Sequence, residues 1–308
     1  MTDPTVVDVK VPEVQTQGNP VGRVPLRALA GWMNDDEGVR TLLGGLPAPT
    51  DDLTAIQQTL VDLRAAVRTR PKVDPEDPVV SGDRPALDEV AARPGVQASF
   101  VETPWRVEWV DLTKLLSIQK IIKTEGLEPR VMSAATDTSA LVELCLPNEQ
   151  DPLPQPVFWG PDARGITTSS PNPNLRIAGP GQIHPIVVGT PAGVPARKLM
   201  AVMFLIDPGM SYLQVAHYNG RYFLRDGYHR AAGLLRAGIT VAPAILVEAP
   251  SYEFVIASVP GLFGYEVAFS DQPPLLTDFW DDAVAADAFQ PTIRKVVRIQ
   301  ADEFVVQG

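Results

Sequence analysis

Cysteine, histidine, basic charge and long apolar runs are all scarce in this chain. Cys145 is the single cysteine among 308 residues, so no disulfide can close within the chain. No Cys/His metal pattern can form around it, and a reduced, cytoplasmic setting is the expectation. The three histidines, His184, His217 and His229, lack metal-ligand spacing, so no protein-held metal is expected. The longest apolar run, LMAVMFLI from Leu199 to Ile206, falls far short of the ~20 residues a membrane helix needs. It reads as a buried strand. The opening MTDPTVVDVKVPEVQTQ has neither a positive n-region nor an apolar h-region, so no signal peptide is expected. Lys and Arg number 26 against 37 Asp and Glu, a net charge of -11. Phosphate backbones need clustered cations, so free nucleic acid is a poor partner. G-x-x-x-x-G-K-[ST], G-x-S-x-G, H-E-x-x-H and C-x-x-C are all absent.

What the chain does have is enough apolar residue to fold. Hydrophobic residues make up 45% and charged residues 20%, which fits a globular chain and not a disordered one. Residues 1–70 read as a polar arm followed by a helical region. PLRALAGWMNDDEGVRTLLGGL suggests short helical pieces broken by glycine. TDDLTAIQQTLVDLRAAVRTRP is a clearer helix: Leu53, Ile56, Leu60, Leu63 and Val67 recur at spacings of three and four. Thr50 is its candidate N-cap, with acids in the first turn, Arg64 and Arg68 toward the end, and Pro71 as the stop. The stripe fits packing on its own domain; a partner or dimer seam is the alternative. Residues 71–104 carry six prolines among charges and read as a linker.

A second domain is expected over 105–250, with 251–308 as a C-terminal extension. WRVEWVD reads as a strand, with Asp111 or Thr113 capping a helix over KLLSIQKII. SALVELCLP is strand-like or a short helix. Eleven prolines between Pro147 and Pro195 exclude long regular elements, so an extended insertion at about 147–195 is expected. SYLQVAHYNGRYFLRDG reads as a hairpin turning at Asn219-Gly220, since both residues tolerate positive φ. HRAAGLLRAG reads as a helix with Gly238 at the C′ position and a Schellman ending through Ile239. VAPAILVEA is a further strand, in which Pro243 suggests an edge or a strand start. TDFWDDAVAADAF reads as an acidic helical piece, and TIRKVVRIQADEFVV as strand.

The chemistry-bearing candidate is Arg225-Asp226-Gly227-Tyr228-His229-Arg230, where a strand runs into a helix. A helix N-terminus offers unpaired N–H groups and the positive end of the dipole, which suit phosphate. Gly227 permits positive φ or close backbone approach, and Arg225, His229 and Arg230 can add charge-assisted hydrogen bonds. Asp226 has two compatible readings: an N-cap, or a base or metal-contacting carboxylate beside the phosphates.

GRYFLRDGYHRAAGLLRAGITVAPAIL resembles the ParB/sulfiredoxin superfamily. The shared pattern is a strand, a D-G-x-H-R box (Asp226, Gly227, His229, Arg230), an Ala-rich helix, Gly, and Pro before the last strand. VEWVDLTKLLSIQ, with Asp111, Leu115 and Gln119, is similar to that family's opening strand and helix. Either GQIHPIVVGT or SYLQVAHYNG matches its middle strand. The resemblance implies an α+β fold: a small mixed sheet with helices, here with a helical N-terminal region and a Pro-rich insertion. It implies a nucleoside triphosphate, ATP or CTP, with or without magnesium, held by Arg225, Gly227, His229 and Arg230. Nucleotide occupancy would control a protein partner or self-association. The alternative is a phosphotransferase or nucleoside triphosphatase with Asp226 and His229 as catalytic residues, and a second alternative is a structural scaffold with a vestigial box. Tyr228 stands where sulfiredoxins place their cysteine, which argues against sulfinic-acid reduction. The chain beyond the box is acidic and strand-like, where DNA-partitioning members carry a helix-turn-helix, so site-specific DNA binding is not expected. A free serine kinase would need a further carboxylate, for which Glu102, Glu108 and Asp111 are the candidates.

Overall fold

The structure is a computed structural model. It describes residues 22–44, 50–101, 103–125, 131, 137–148, 157–159, 165–170, 176–180, 184–188, 197–201, 204–207, 211–256, 261–291 and 295–300. In chain order the first part has strand β1 (Arg23–Ala28) and helices α1 (Asp35–Leu43) and α2 (Thr50–Thr69). Next come β2 (Val79–Val80), α3 (Arg84–Ala91) and α4 (Pro94–Ser99). Strands β3 (Trp105–Asp111), β4 (Leu116–Ser117) and β5 (Ile121–Lys123) lead to α5 (Thr138–Cys145). The Pro-rich region and the stretch after it carry β6 (Val157–Trp159), β7 (Gly165–Ser170), β8 (Arg176–Pro180), β9 (His184–Val188), β10 (Arg197–Ala201) and β11 (Phe204–Asp207). After these come β12 (Gln214–Tyr218), β13 (Arg221–Asp226), α6 (Tyr228–Arg236) and β14 (Val241–Glu248). The chain closes with α7 (Tyr252–Ile256), α8 (Tyr265–Ala268), β15 (Ala286–Pro291) and β16 (Lys295–Gln300).

The fold is α+β. Its centre is a mixed six-stranded sheet in the order β2-β3-β14-β12-β13-β4. β14 runs parallel to β12 and antiparallel to β3, and β13 runs parallel to β4. The β12–β13 hairpin turns at Asn219 (φ 52°) and Gly220 (φ 73°), the two positive φ values that a type I′ turn requires. Helix α6 ends as its sequence dictates. Ile239 N donates to Leu234 O at 2.9 Å and Gly238 N to Leu235 O at 3.0 Å, while Gly238 takes φ 80°. That is the Schellman pair of bonds.

Pro243 departs from its reading: β14 is an interior strand. Its tolerance has a local cause. The bond to the β12 side begins at Ile245 N, which donates to Leu213 O. The nitrogen of residue 243 points to the same side, two residues earlier, where β12 has not begun. The proline removes no ladder bond there.

Among the described residues, apolar side chains before Trp105 share a core with those after it. The 71–104 stretch is no bare tether: it carries β2, α3 and α4, and Leu87, Val90 and Val96 are buried in the main core. Each such burial contributes about 1.5–3 kcal/mol. The boundaries expected at 70, 104 and 250 do not divide the core, because Leu29, Leu87, Phe223 and Phe279 share one apolar cluster. The stripe on α2 also faces its own chain. Leu60 and Leu63 bury against Ala30, and a Cβ on Gly31 would stand 2.7 Å from Val67 Cγ2. PLRALAG opens on a strand rather than a helix: β1 pairs with β15 over six residues and with β5 over three.

Two expected helices are corrected. KLLSIQKII forms one 3-10 turn, Leu112–Lys114, and then two short strands. Asp111 does cap that turn, accepting from Thr113 N at 3.0 Å. Leu115, Leu116, Ile118 and Ile122 are all buried, and the backbone of the segment pairs with distant groups instead of its own turns: Ser117 N donates to Pro274 O, Ile118 N to Tyr228 Oη, and Leu115 O accepts from Leu276 N. TDFWDDAVAADAF forms a 3-10 segment, Leu276–Trp280, followed by turns and β15. Pairing with β1 overrides the alanine preference for helix. SALVELCLP resolves as the helix α5. The Pro147–Pro195 region carries strands of three to six residues. Between the two candidate middle strands, β12 lies in the central sheet and β9 pairs with β10 in a separate ladder. The arm 1–21 and the tail 301–308 lie outside the described residues. No described helix is long and apolar enough to cross a membrane.

Candidate functional site

β13 delivers the chain to Gly227, whose φ of 86° makes the bend into α6. A Cβ here would lie 2.8 Å from Leu213 Cδ1, so both conformation and space call for glycine. Gly227, and not Asp226, is the N-cap, and no side chain caps the helix. Asp226 instead accepts from Gly227 N (2.6 Å, Oδ1) and from the Ser211 hydroxyl (3.1 Å, Oδ2). The expected capping role of Asp226 is therefore corrected. Because the αL glycine inserts one residue, its carboxylate falls short of the amides of the first helical turn.

The four other box side chains all end on partners within the chain. Arg230 Nη1 donates to the carbonyls of Leu144 (3.1 Å) and Cys145 (3.2 Å), and Nη2 to Ser211 Oγ (2.7 Å). The last carbonyls of α5 have no helical partner, so Arg230 serves as a C-cap from a distant helix. Burial pulls the Arg230 pKa below its usual value, though an arginine at neutral pH keeps its charge. Burial likewise pushes the Cys145 thiol up to about 12, against the pull of Arg230, which leaves it an inert core residue. Tyr228 is buried, donates to Leu224 O (2.5 Å), and accepts from Ile118 N (2.8 Å) and Gln119 N (3.2 Å). This one phenol holds the β4–β5 segment against α6. His229 Nε2 accepts from Lys123 N at 3.2 Å. An accepting ring nitrogen means neutral imidazole, and burial followed by the charges of Lys123 and Arg230 lowers the pKa accordingly. Arg225 Nη1 donates to Gln214 Oε1 (3.0 Å), and its guanidinium lies 4.5 Å from the centre of the Phe254 ring. Its Nε is buried without a partner among the described residues, and burial lowers the Arg225 pKa.

Ser211, Lys123 and Gln214 were not singled out from sequence. Ser211 joins Asp226 to Arg230, yet nothing in SYLQV marks it. The carboxylates proposed for a kinase do not join the box. Glu108 pairs with Arg84 and Arg106, Asp111 caps its own turn, and Glu102 lies outside the described residues. His217 pairs with Glu248 at 2.7 Å and stacks on Tyr222, while the side chain of His184 lies outside the described residues. Among the described residues, no group of three His, Cys, Asp or Glu could hold a metal ion.

Chemically, the cations expected to grip phosphate are occupied by the protein's own carbonyls and amide oxygen. What the turn still offers is the uncapped first turn of α6, with the Lys123 charge within electrostatic range of His229. No protein-family model matches the chain, and neither a curated protein nor a solved structure is significantly similar to it.

Proposed function

We propose that this chain binds a phosphate-bearing nucleotide at the first turn of α6 and that occupancy controls a protein interaction. One observation carries the reading. Helices α1, α3 and α5 are each capped by a side chain, from Asn34, Asp83 and Asp137. Helix α6 has no such cap, as α4 and α8 also lack one, but among these only α6 follows a strand directly through an αL glycine. Amides left open at the positive end of a helix dipole are what an anion takes. Arg230 and Tyr228 then act as supports that fix the turn, and Lys123 is the neighbouring cation whose charge reaches the histidine from β5.

The test is thermal unfolding with ATP, CTP or GTP, each with magnesium. At about a hundredfold excess over Kd, a bound ligand should raise the melting temperature by roughly 3–6 °C. Lys123→Gln keeps the backbone bond to His229 and removes the charge, and should weaken binding roughly tenfold. No rise with any of the three nucleotides sinks the reading. A rise that Lys123→Gln leaves untouched places binding elsewhere. A scaffold with a purely structural box is the second reading. Its support is that Tyr228, His229 and Arg230 all hydrogen-bond to main-chain groups of distant segments.

A further inference from the structure

β5 is a three-residue edge strand that pairs with β1 alone among the described residues. Thr124 N donates to Pro25 O on the β1 side. Strand alternation therefore turns Lys123 N the other way, toward the open edge. The group waiting there is His229 Nε2 on α6, at 3.2 Å. We infer that His229 is a proton-controlled latch: its neutral ring holds β5 against α6, and its protonated ring releases it.

Imidazolium carries N–H at both nitrogens and accepts nothing, so protonation would set Nε2–H against Lys123 N–H. The charged groups facing the ring favour the neutral form. Lys123 on β5 and Arg230 on α6 are both cationic, and Asp226 at the end of β13 opposes them. Asp226 already accepts from Gly227 and Ser211, which limits its pull. The turns Leu112–Lys114 and Leu276–Trp280 also pack on α6. Their charges are paired elsewhere, Lys114 with Glu76 and Asp278 with Arg70.

The sign follows from which state takes the proton first. In the folded, latched state the histidine pKa is lowered by burial, then by Lys123 and Arg230. The released histidine titrates near its ordinary value of about 6.5. Above that pH both states are neutral and the latch is at full strength. Below it the released state gains a proton first, so the latch weakens as pH falls until the latched pKa is reached. Opening is local because a short edge strand sits at the low-stability end of a fold. The latch needs no ligand at the α6 turn.

Amide hydrogen exchange of the full chain, corrected for the intrinsic pH dependence of exchange, reads this directly. Lys123 protection should be flat above about pH 7 and fall roughly tenfold per pH unit below about pH 6.5. Amides of the central strand β14 should keep their protection over the same range. In His229→Gln the side-chain oxygen still accepts from Lys123 N but cannot titrate, so Lys123 protection should be flat throughout. Flat protection in the native chain overturns the latch. So does an undiminished pH slope in His229→Gln, and the native measurement stands even where the variant folds poorly.

Discussion

Arg230→Ala is expected to lower the free energy of unfolding by roughly 3–5 kcal/mol, an effect on the fold before any effect on a ligand. The guanidinium makes three hydrogen bonds, to Leu144 O, Cys145 O and Ser211 Oγ. Bonds from a charged group contribute about 1.5–3 kcal/mol each, and they do not add fully. Alanine also removes the donor to Leu144 O in a part-buried position, while Cys145 O keeps Leu213 N at 2.8 Å. Urea unfolding with an unchanged slope checks the number. Arg230→Lys should recover only part of the loss, because a compact ammonium cannot fork across two carbonyls and a hydroxyl. A loss below about 1 kcal/mol would show that the carbonyls find other partners and that Arg230 is not a clamp. The consequence for function is direct. A lost nucleotide response in Arg230→Ala would not identify Arg230 as a ligand contact, whereas the response of Lys123→Gln bears on the turn itself.

Asp278→Ala should cost about 3–5 kcal/mol, the usual result of removing one partner from a buried ion pair. Asp278 is 2% exposed. Its two oxygens take Arg70 Nη2 at 2.7 Å and Nη1 at 2.8 Å, and Oδ2 also accepts from Leu275 N at 2.8 Å. Removing it orphans the Arg70 charge beside Trp32 and uncaps the Leu276–Trp280 turn in one step. The hydrogen bond to Asp278 is also what raises the Arg70 pKa. Asp282→Ala is the contrast. Asp282 pairs with the buried Arg27 but is itself 92% exposed, and Arg27 keeps Asp287 and Phe279 O. Such a pair contributes about 0–1 kcal/mol. Chemical denaturation of the two variants side by side decides it. Equal losses would mean that burial of the carboxylate does not set the cost.

Much of the local architecture is legible in the sequence. Asn219-Gly220 dictates its turn through positive φ, and Gly238 ends α6 for the same reason. The three-and-four spacing over Leu53–Val67 predicts α2, and WRVEWVD predicts β3. These elements answer to interactions within a few residues. The failures share the opposite cause. KLLSIQKII looks helical, but Tyr228, about a hundred residues on, takes the amides of Ile118 and Gln119 for its own oxygen. The 71–104 stretch looks like a linker because of its prolines, yet Pro85 and Pro94 sit in the first turns of α3 and α4, where no amide is needed.

The box shows the division most clearly. From sequence alone came the strand, the glycine, the helix and the way the helix ends. Where the side chains go was not written locally. Arg230 reaches 86 residues to Leu144, His229 reaches 106 to Lys123, and Tyr228 reaches 110 to Ile118. Backbone conformation follows from each residue's own φ preferences and its near neighbours. The partner of a buried polar side chain is whichever unsatisfied group the tertiary fold sets beside it, and only the folded chain decides that.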